Sequence, residues 1–283
     1  MYYGILSFSV TLFGFQFLLN QRYQKASGSG VTSTLLFSLV NGVVGAICLM
    51  LFNGPHLAYT PFTLLLALCA SALGFLYTFC SLKAFERVNL SLYSIFAMLG
   101  GMMLPFLAGI LFWQEPLTLG KTLCVLLIVA ALLLTLKKET GKSGLLFCFA
   151  VFFLNGMSGV LSKIYQIAPY PKASPAAYSV WSALLSALIA GIALLLIRQK
   201  LRRPSVSALL YASGCGALNK IGNYLLLLAL AVLPASVQYP FVTGGVMIVT
   251  TALAFLSPQK PSRRELLSLA LSFIGILVLV LIP

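Results

Sequence analysis

Ten apolar stretches of membrane-spanning length follow one another along the chain, at about 2–20, 31–52, 62–84, 88–112, 118–136, 144–165, 176–197, 206–232, 235–256 and 265–282. A helix needs roughly 20 mostly apolar residues to cross a bilayer. The connections, among them "NGPHLAYTP", "WQEPL", "KKETGKSG", "RQKLRRPS" and "SPQKPSRR", are too short to hold a soluble domain. Lipid offers no partner to free backbone groups, and the runs are too long for barrel strands, so the expected fold class is an all-α membrane protein of ten transmembrane helices. Only 8% of the 283 residues are charged, against roughly 25% in a soluble domain. The opening "MYYGILSFSV" lacks the basic region of a signal peptide and is read as the first span.

The formal net charge of +14 does not point to nucleic acid, because the basic residues form short clusters between apolar spans and no continuous face. Their distribution is informative about orientation. With alternating connections, 14 of the 18 basic residues fall on one side: Arg22, Lys25, Lys83, Arg87, Lys137, Lys138, Lys142, Arg198, Lys200, Arg202, Arg203, Lys260, Arg263 and Arg264. The other side holds Lys121, Lys163 and Lys172. The positive-inside rule then predicts a multi-pass protein of the cell membrane with basic loops in the cytoplasm and both termini outside.

The two halves resemble each other. An offset of 145 brings "FWQEPL" (Phe112–Leu117) onto "SPQKPS" (Ser257–Ser262), and pairs Ser91 with Ser236, Phe96 with Phe241 and Gly100 with Gly245. An offset of 142 brings "QRYQ" (Gln21–Gln24) onto "KIYQ" (Lys163–Gln166). The chain therefore reads as two five-helix repeats, 1–140 and 141–283, within one membrane unit. Because five is odd, the second copy enters from the opposite face. Inverted repeats of this kind recur in secondary transporters, with the site near the midplane.

Lys220, in "GALNKIGNYLLLLALAV" (Gly216–Val232), is the sharpest chemical signal. It lies about 14 residues from either end of its span, or roughly 21 Å at 1.5 Å per residue, whereas a lysine stem reaches about 6 Å. A lysine at a helix centre costs roughly 2.5–3.5 kcal/mol on insertion scales and usually faces a cavity or a partner. The four acids, Glu86, Glu115, Glu139 and Glu265, all lie at span ends or in connections. What remains for Lys220 is an anionic substrate group, carbonyl dipoles or deprotonation. Asn219 and Asn223 flank it one turn apart, Asn155 and Ser158 lie mid-span in the sixth stretch, Gln16 and Asn20 lie in the first, and Asn41 in the second. Each of these alone reads first as interhelical packing glue. Tyr77, Tyr93, Tyr224, Tyr239 and Trp181 are candidates either to stack on a substrate or to anchor the interface. Gly100, Gly101, Gly244 and Gly245, with Pro105 and Pro240, mark corresponding places in the two halves where helices approach closely or break.

In "LAGILFWQEPLTLGKTLCVLLIVAALLL" (Leu107–Leu134) and "YPFVTGGVMIVTTALAFLSPQKPSRRELLSLALSFIGILVLVLI" (Tyr239–Ile282), the chain resembles the drug/metabolite transporter superfamily, in its EamA-like ten-span branch. The likeness extends over the whole chain in span count and duplication. It implies movement of small metabolites through a cavity lined mainly by helices 1, 3, 4, 6, 8 and 9, which singles out Gln16, Asn155, Asn219 and Asn223 together with Lys220. There are departures. Lys260 stands where the first half has Glu115, and the outside termini differ from the cytoplasmic ones more common in the superfamily. No acid occupies Gly4–Asn20 or Gly144–Ser162, so the proton-for-cation exchange of the small multidrug members cannot be carried over.

The expected function is thus a secondary transporter of a small polar or anionic metabolite, with Lys220, Asn219, Asn223, Asn155, Ser158, Gln16, Tyr77 and Tyr239 as candidate binding residues. The expected partners are that substrate and the bilayer, with no nucleic acid and the coupling ion undefined; a monomer suffices and a homodimer is compatible. A channel, or a flippase-like carrier of a lipid-linked group, is the alternative use of such a cavity. An intramembrane enzyme is disfavoured: there is no Asp, the single histidine His56 lies in a connection, and Ser213 with Lys220 is no motif by itself. "ETGKSG" (Glu139–Gly144) lacks the earlier glycine and preceding strand of a phosphate loop and reads as a turn. Six cysteines without C-x-x-C spacing argue against a zinc site or disulfide framework, and no cofactor is expected.

Overall fold

The computed structural model describes residues 2–28, 30–55, 57–85, 87, 90–134, 142–197, 204–255 and 263–282. The described residues form ten helices and no strand: α1 (Tyr2–Ser27), α2 (Val31–Asn53), α3 (Pro61–Phe85), α4 (Leu90–Trp113), α5 (Leu119–Leu134), α6 (Lys142–Ile167), α7 (Pro175–Ile197), α8 (Val206–Leu230), α9 (Ala235–Phe255) and α10 (Arg263–Leu281). His56, Glu86, the turn at Glu139–Gly141, the basic run 198–203 and the turn holding Lys260 lie outside the described residues.

Among the described residues, six helices, α1, α2, α3, α4, α6 and α7, are long and apolar enough to cross a membrane. Leu51, Phe112, Leu195 and Leu196 are each more than 70% exposed on helix surfaces. Such surfaces are untenable in water and suit lipid, so the chain is an all-α membrane protein. α5 is a shorter apolar helix, and in α8 the Asn219, Lys220 and Asn223 group dilutes the apolar run.

The first helix outruns its expected span, continuing from residue 20 to Ser27 despite the polar sequence "QRYQKAS". Tyr23 explains the extension. It is 1% exposed, its ring lies 4.7 Å from that of Phe37, and its hydroxyl donates to the Ser33 carbonyl at 2.7 Å. Burial of an aromatic ring with a satisfied hydroxyl outweighs weak local propensity. Pro105 and Pro240 sit inside α4 and α9 without ending them.

The helices pack mainly as α1 on α8, α2 on α7, α3 on α6, α4 on α6, α2 on α8, α1 on α9 and α5 on α10. Glycines bring the closest pairs together. A Cβ on Gly216 would lie 2.7 Å from the Asn41 carbonyl oxygen of α2, and one on Gly156 would lie 2.6 Å from the Gly100 carbonyl oxygen of α4. Val10, Met102, Cys124, Ile128, Val246 and Leu279 form an apolar knot where α1, α4, α5, α9 and α10 converge. With α5 and α10 packed on each other to one side, the other eight helices surround an interior space.

Candidate functional site

That space is a cavity of about 340 Å³, lined by α1, α2, α3, α4, α6, α7, α8 and α9. It is at the small end of ligand sites, which span roughly 300–1,000 Å³. The family resemblance implied six lining helices; α2 and α7 join them through Ser38 and Asn41, and through Tyr178, Ser179, Ser182 and Ser186.

Lys220 projects into this cavity from α8. Its stem crosses Gly45 of α2, where a Cβ would collide with the lysine Cγ and lie 3.1 Å from its Cβ. Among the described residues its ammonium makes no hydrogen bond or ion pair. Asn219 donates to Gln16 Oε1 at 3.1 Å and so ties α8 to α1, a contact reinforced by Ser9 Oγ donating to the Gly222 carbonyl at 2.8 Å. Asn223 Nδ2 donates to the Asn219 carbonyl at 2.8 Å. Across the cavity, Asn155 Nδ2 donates to the Ala97 carbonyl of α4 at 2.7 Å, with Gly101 leaving room for the amide. Asn155 and Asn223 each bond a carbonyl, which cannot donate, so each keeps its Oδ1 as an acceptor.

All eight sequence candidates, Lys220, Asn219, Asn223, Asn155, Ser158, Gln16, Tyr77 and Tyr239, line this one cavity, as do Asn20 and Asn41. The other aromatic candidates do not. Tyr224 packs with Leu49, Ala176 and Val180, and Trp181 donates from its ring nitrogen to the Ala58 carbonyl at 3.3 Å near the start of α3. Tyr93 sits behind the wall, bridging Tyr77 at 2.9 Å and Ser81 at 2.8 Å through its hydroxyl. Ser213 is not among the residues that line the cavity.

The wall residues missed in the sequence are mostly hydroxyls. Ser179, Ser182 and Ser186 of α7, Ser162 of α6, which continues the step from Asn155 and Ser158, and Thr78 and Ser81 of α3 recur at three- and four-residue steps. That spacing places each set on one helical face, a legible signal for a polar lining.

A second constellation ties helices together at one end of the bundle. Gln114 adopts φ 52°, turning the chain after α4 so that Glu115 reaches the start of α9. The carboxylate accepts from the Ala235 amide at 3.0 Å and the Ser236 amide at 2.9 Å, and Lys163 of α6 lies 3.4 Å away. The Glu115 side chain is 9% exposed. Gly109 makes the fold-back feasible, because a Cβ there would lie 2.7 Å from Glu115 Oε2. Burial pushes the carboxyl pKa up, but the Ser236 and Ala235 amides and Lys163 together outweigh it and hold it below the ordinary value. An anion at a helix N-terminus is favoured by the free amides and the helix dipole. Tyr239 donates to the Gly159 carbonyl at 2.8 Å, Gln238 to the Leu226 carbonyl at 2.8 Å and Gln166 to the Leu227 carbonyl at 2.6 Å, so α6, α8 and α9 are tied together at this same end.

No protein-family profile matches the chain. No curated protein matches it by sequence. A solved structure described only as a crystal structure of a protein superposes with a TM-score of 0.72, covering 96% of this chain and 96% of its own, at 18% sequence identity. At that identity the likeness speaks for a shared fold over nearly the whole chain, and for the fold alone.

Proposed function

We propose that this protein is a secondary transporter of the EamA-like branch of the drug/metabolite transporter superfamily, carrying a small polar or anionic metabolite by alternating access. The ten helices act as ten spans in two inverted repeats, 1–140 and 141–283. The packing supports this reading. Advancing each helix by five maps α1 on α8 onto α6 on α3, α1 on α9 onto α6 on α4, and α2 on α8 onto α7 on α3, while α2 on α7 and α5 on α10 map onto themselves. Tyr23 and Tyr165, paired by the 142 offset, are both 1% exposed and both donate to a carbonyl just past their helix, at Ser33 and Ala173. Gly100 approaches α6 and its counterpart Gly245 approaches α1, as the same exchange requires.

The observation that carries the function is Lys220, a cation with no partner among the described residues, facing a partly polar cavity enclosed by helices from both repeats. A fixed positive charge there is stabilised when a ligand anion arrives, which is the differential affinity a carrier needs. The basic loops are placed in the cytoplasm and both termini outside, which puts the Glu115 constellation at the outer end, closed in this state. The protein acts on its cargo without catalytic chemistry, and a monomer suffices.

The test is a thermal-shift screen of detergent-purified protein against amino acids, organic acids, sugar phosphates and nucleotide sugars, in wild type and Lys220→Ala. A stabilising anion whose effect disappears in the variant is the expected result; equal stabilisation in both proteins refutes the role of Lys220. Saturable counterflow of the hit in proteoliposomes is expected for a carrier, whereas non-saturating conduction would instead identify a channel.

A further inference from the structure

The hydroxyls that α3, α6 and α7 bring to the cavity wall share a polarity. Thr78 Oγ1 donates to the Gly74 carbonyl at 2.9 Å, Ser158 Oγ to Leu154 at 3.1 Å, Ser162 Oγ to Ser158 at 3.0 Å, Ser182 Oγ to Ser179 at 2.9 Å and Ser186 Oγ to Ser182 at 2.7 Å. A hydroxyl has one hydrogen and two lone pairs. Each of these hydrogens is already committed to the backbone of its own helix, so each oxygen meets the cavity as an acceptor. Asn155 adds its Oδ1 to the same wall. On the α8 side the ammonium of Lys220 is purely a donor. The cavity is therefore polarised at Lys220, a cation on α8 beside the Asn223 Oδ1 acceptor, with further acceptors on α3, α6 and α7.

A complementary ligand carries its anionic group at one end and hydrogen-bond donors at the other. Those donors are better neutral than charged. No carboxylate lines the cavity among the described residues, and Glu115 is engaged at the α9 terminus. A ligand ammonium would share the space with Lys220 and be buried against uncharged oxygens, which leaves its desolvation uncompensated. Hydroxyl groups satisfy the same acceptors without that cost.

We propose that the cavity takes a small polyhydroxylated monoanion, its acid group at Lys220 and its hydroxyls on Ser158, Ser162, Ser182 and Ser186. This rests on the anion-binding reading of Lys220. The test uses the full-length purified protein and four probes of one chain length: gluconate, hexanoate, 6-aminohexanoate and sorbitol. Binding is measured by calorimetry in wild type, Lys220→Met and the double variant Ser182→Ala/Ser186→Ala, with ligand-free melting as the folding control.

Gluconate is expected to bind at least tenfold more tightly than the other three. The serine variant is expected to weaken gluconate by about tenfold while leaving hexanoate unchanged, and Lys220→Met to abolish binding of both anions. Hexanoate matching gluconate, or serine substitution weakening both alike, overturns the proposal and leaves the anion reading intact. So does 6-aminohexanoate binding more tightly than gluconate, which assigns a zwitterion. Sorbitol matching gluconate, gluconate retained in Lys220→Met, or no binding of any probe overturns both.

Discussion

Replacing Glu115 with Gln removes the charge that joins the α4–α5 turn to α9 while keeping the side chain's shape. The carboxylate accepts two backbone amides, at 3.0 and 2.9 Å, and faces Lys163 at 3.4 Å. A hydrogen bond to an ionised group contributes about 1.5–3 kcal/mol. A partly exposed ion pair adds up to about 1 kcal/mol. The amide retains one acceptor oxygen but turns its NH2 toward the second backbone donor, so one ionic bond and the pair are lost. The closed arrangement of this end should weaken by about 2–3 kcal/mol, a roughly 30- to 150-fold shift toward an open one. The assay is labelling of a single reporter cysteine at Thr243, a cavity residue of α9, with an impermeant maleimide applied to either face of oriented vesicles, after the six native cysteines are replaced. Faster labelling from the Glu115 face in Glu115→Gln, and in Lys163→Met to a smaller degree, is expected. Unchanged labelling with unchanged melting would refute the claim that this contact holds the end closed.

Acid should act in the same direction. The depressed pKa of Glu115 means that its stabilisation is complete above the ordinary carboxylate range and is lost as pH falls through the lowered value, so labelling should rise only in acid and the dependence should vanish in Glu115→Gln. Lys220→Met should raise ligand-free thermal stability, by up to about 3 kcal/mol, while abolishing anion binding, because the buried charge is retained for its ligand. Gly45→Ala keeps that charge but displaces the lysine stem and crowds the Gly216 carbonyl, so anion affinity should fall about tenfold and melting should fall as well; unchanged affinity would show the stem's path to be irrelevant. Gly100→Ala inserts a methyl into the backbone of α6 at Phe152 and should cost about 1–3 kcal/mol by thermal denaturation without altering the charge of the site.

By itself the sequence determined the solvent and which polar residues line the cavity. Hydropathy is summed residue by residue, so spans of twenty apolar residues dictate helices in lipid whatever their packing. The same logic collected the cavity: Gln16, Asn155, Asn219 and Lys220 sit within apolar runs, and polar groups at that depth turn inward. Tertiary structure decided what depends on pairs of residues far apart in the chain. Glu115 meets the α9 amides 120 and 121 residues on, a contact no local pattern announces. Tyr224 and Tyr77 look alike in sequence, yet helix rotation sends one into packing with Leu49 and the other to the cavity wall. The serines of α7 are spaced as a stripe that the reading of single residues passed over, and their polarity is set only in the fold, where each hydrogen finds a carbonyl and leaves its oxygen as an acceptor.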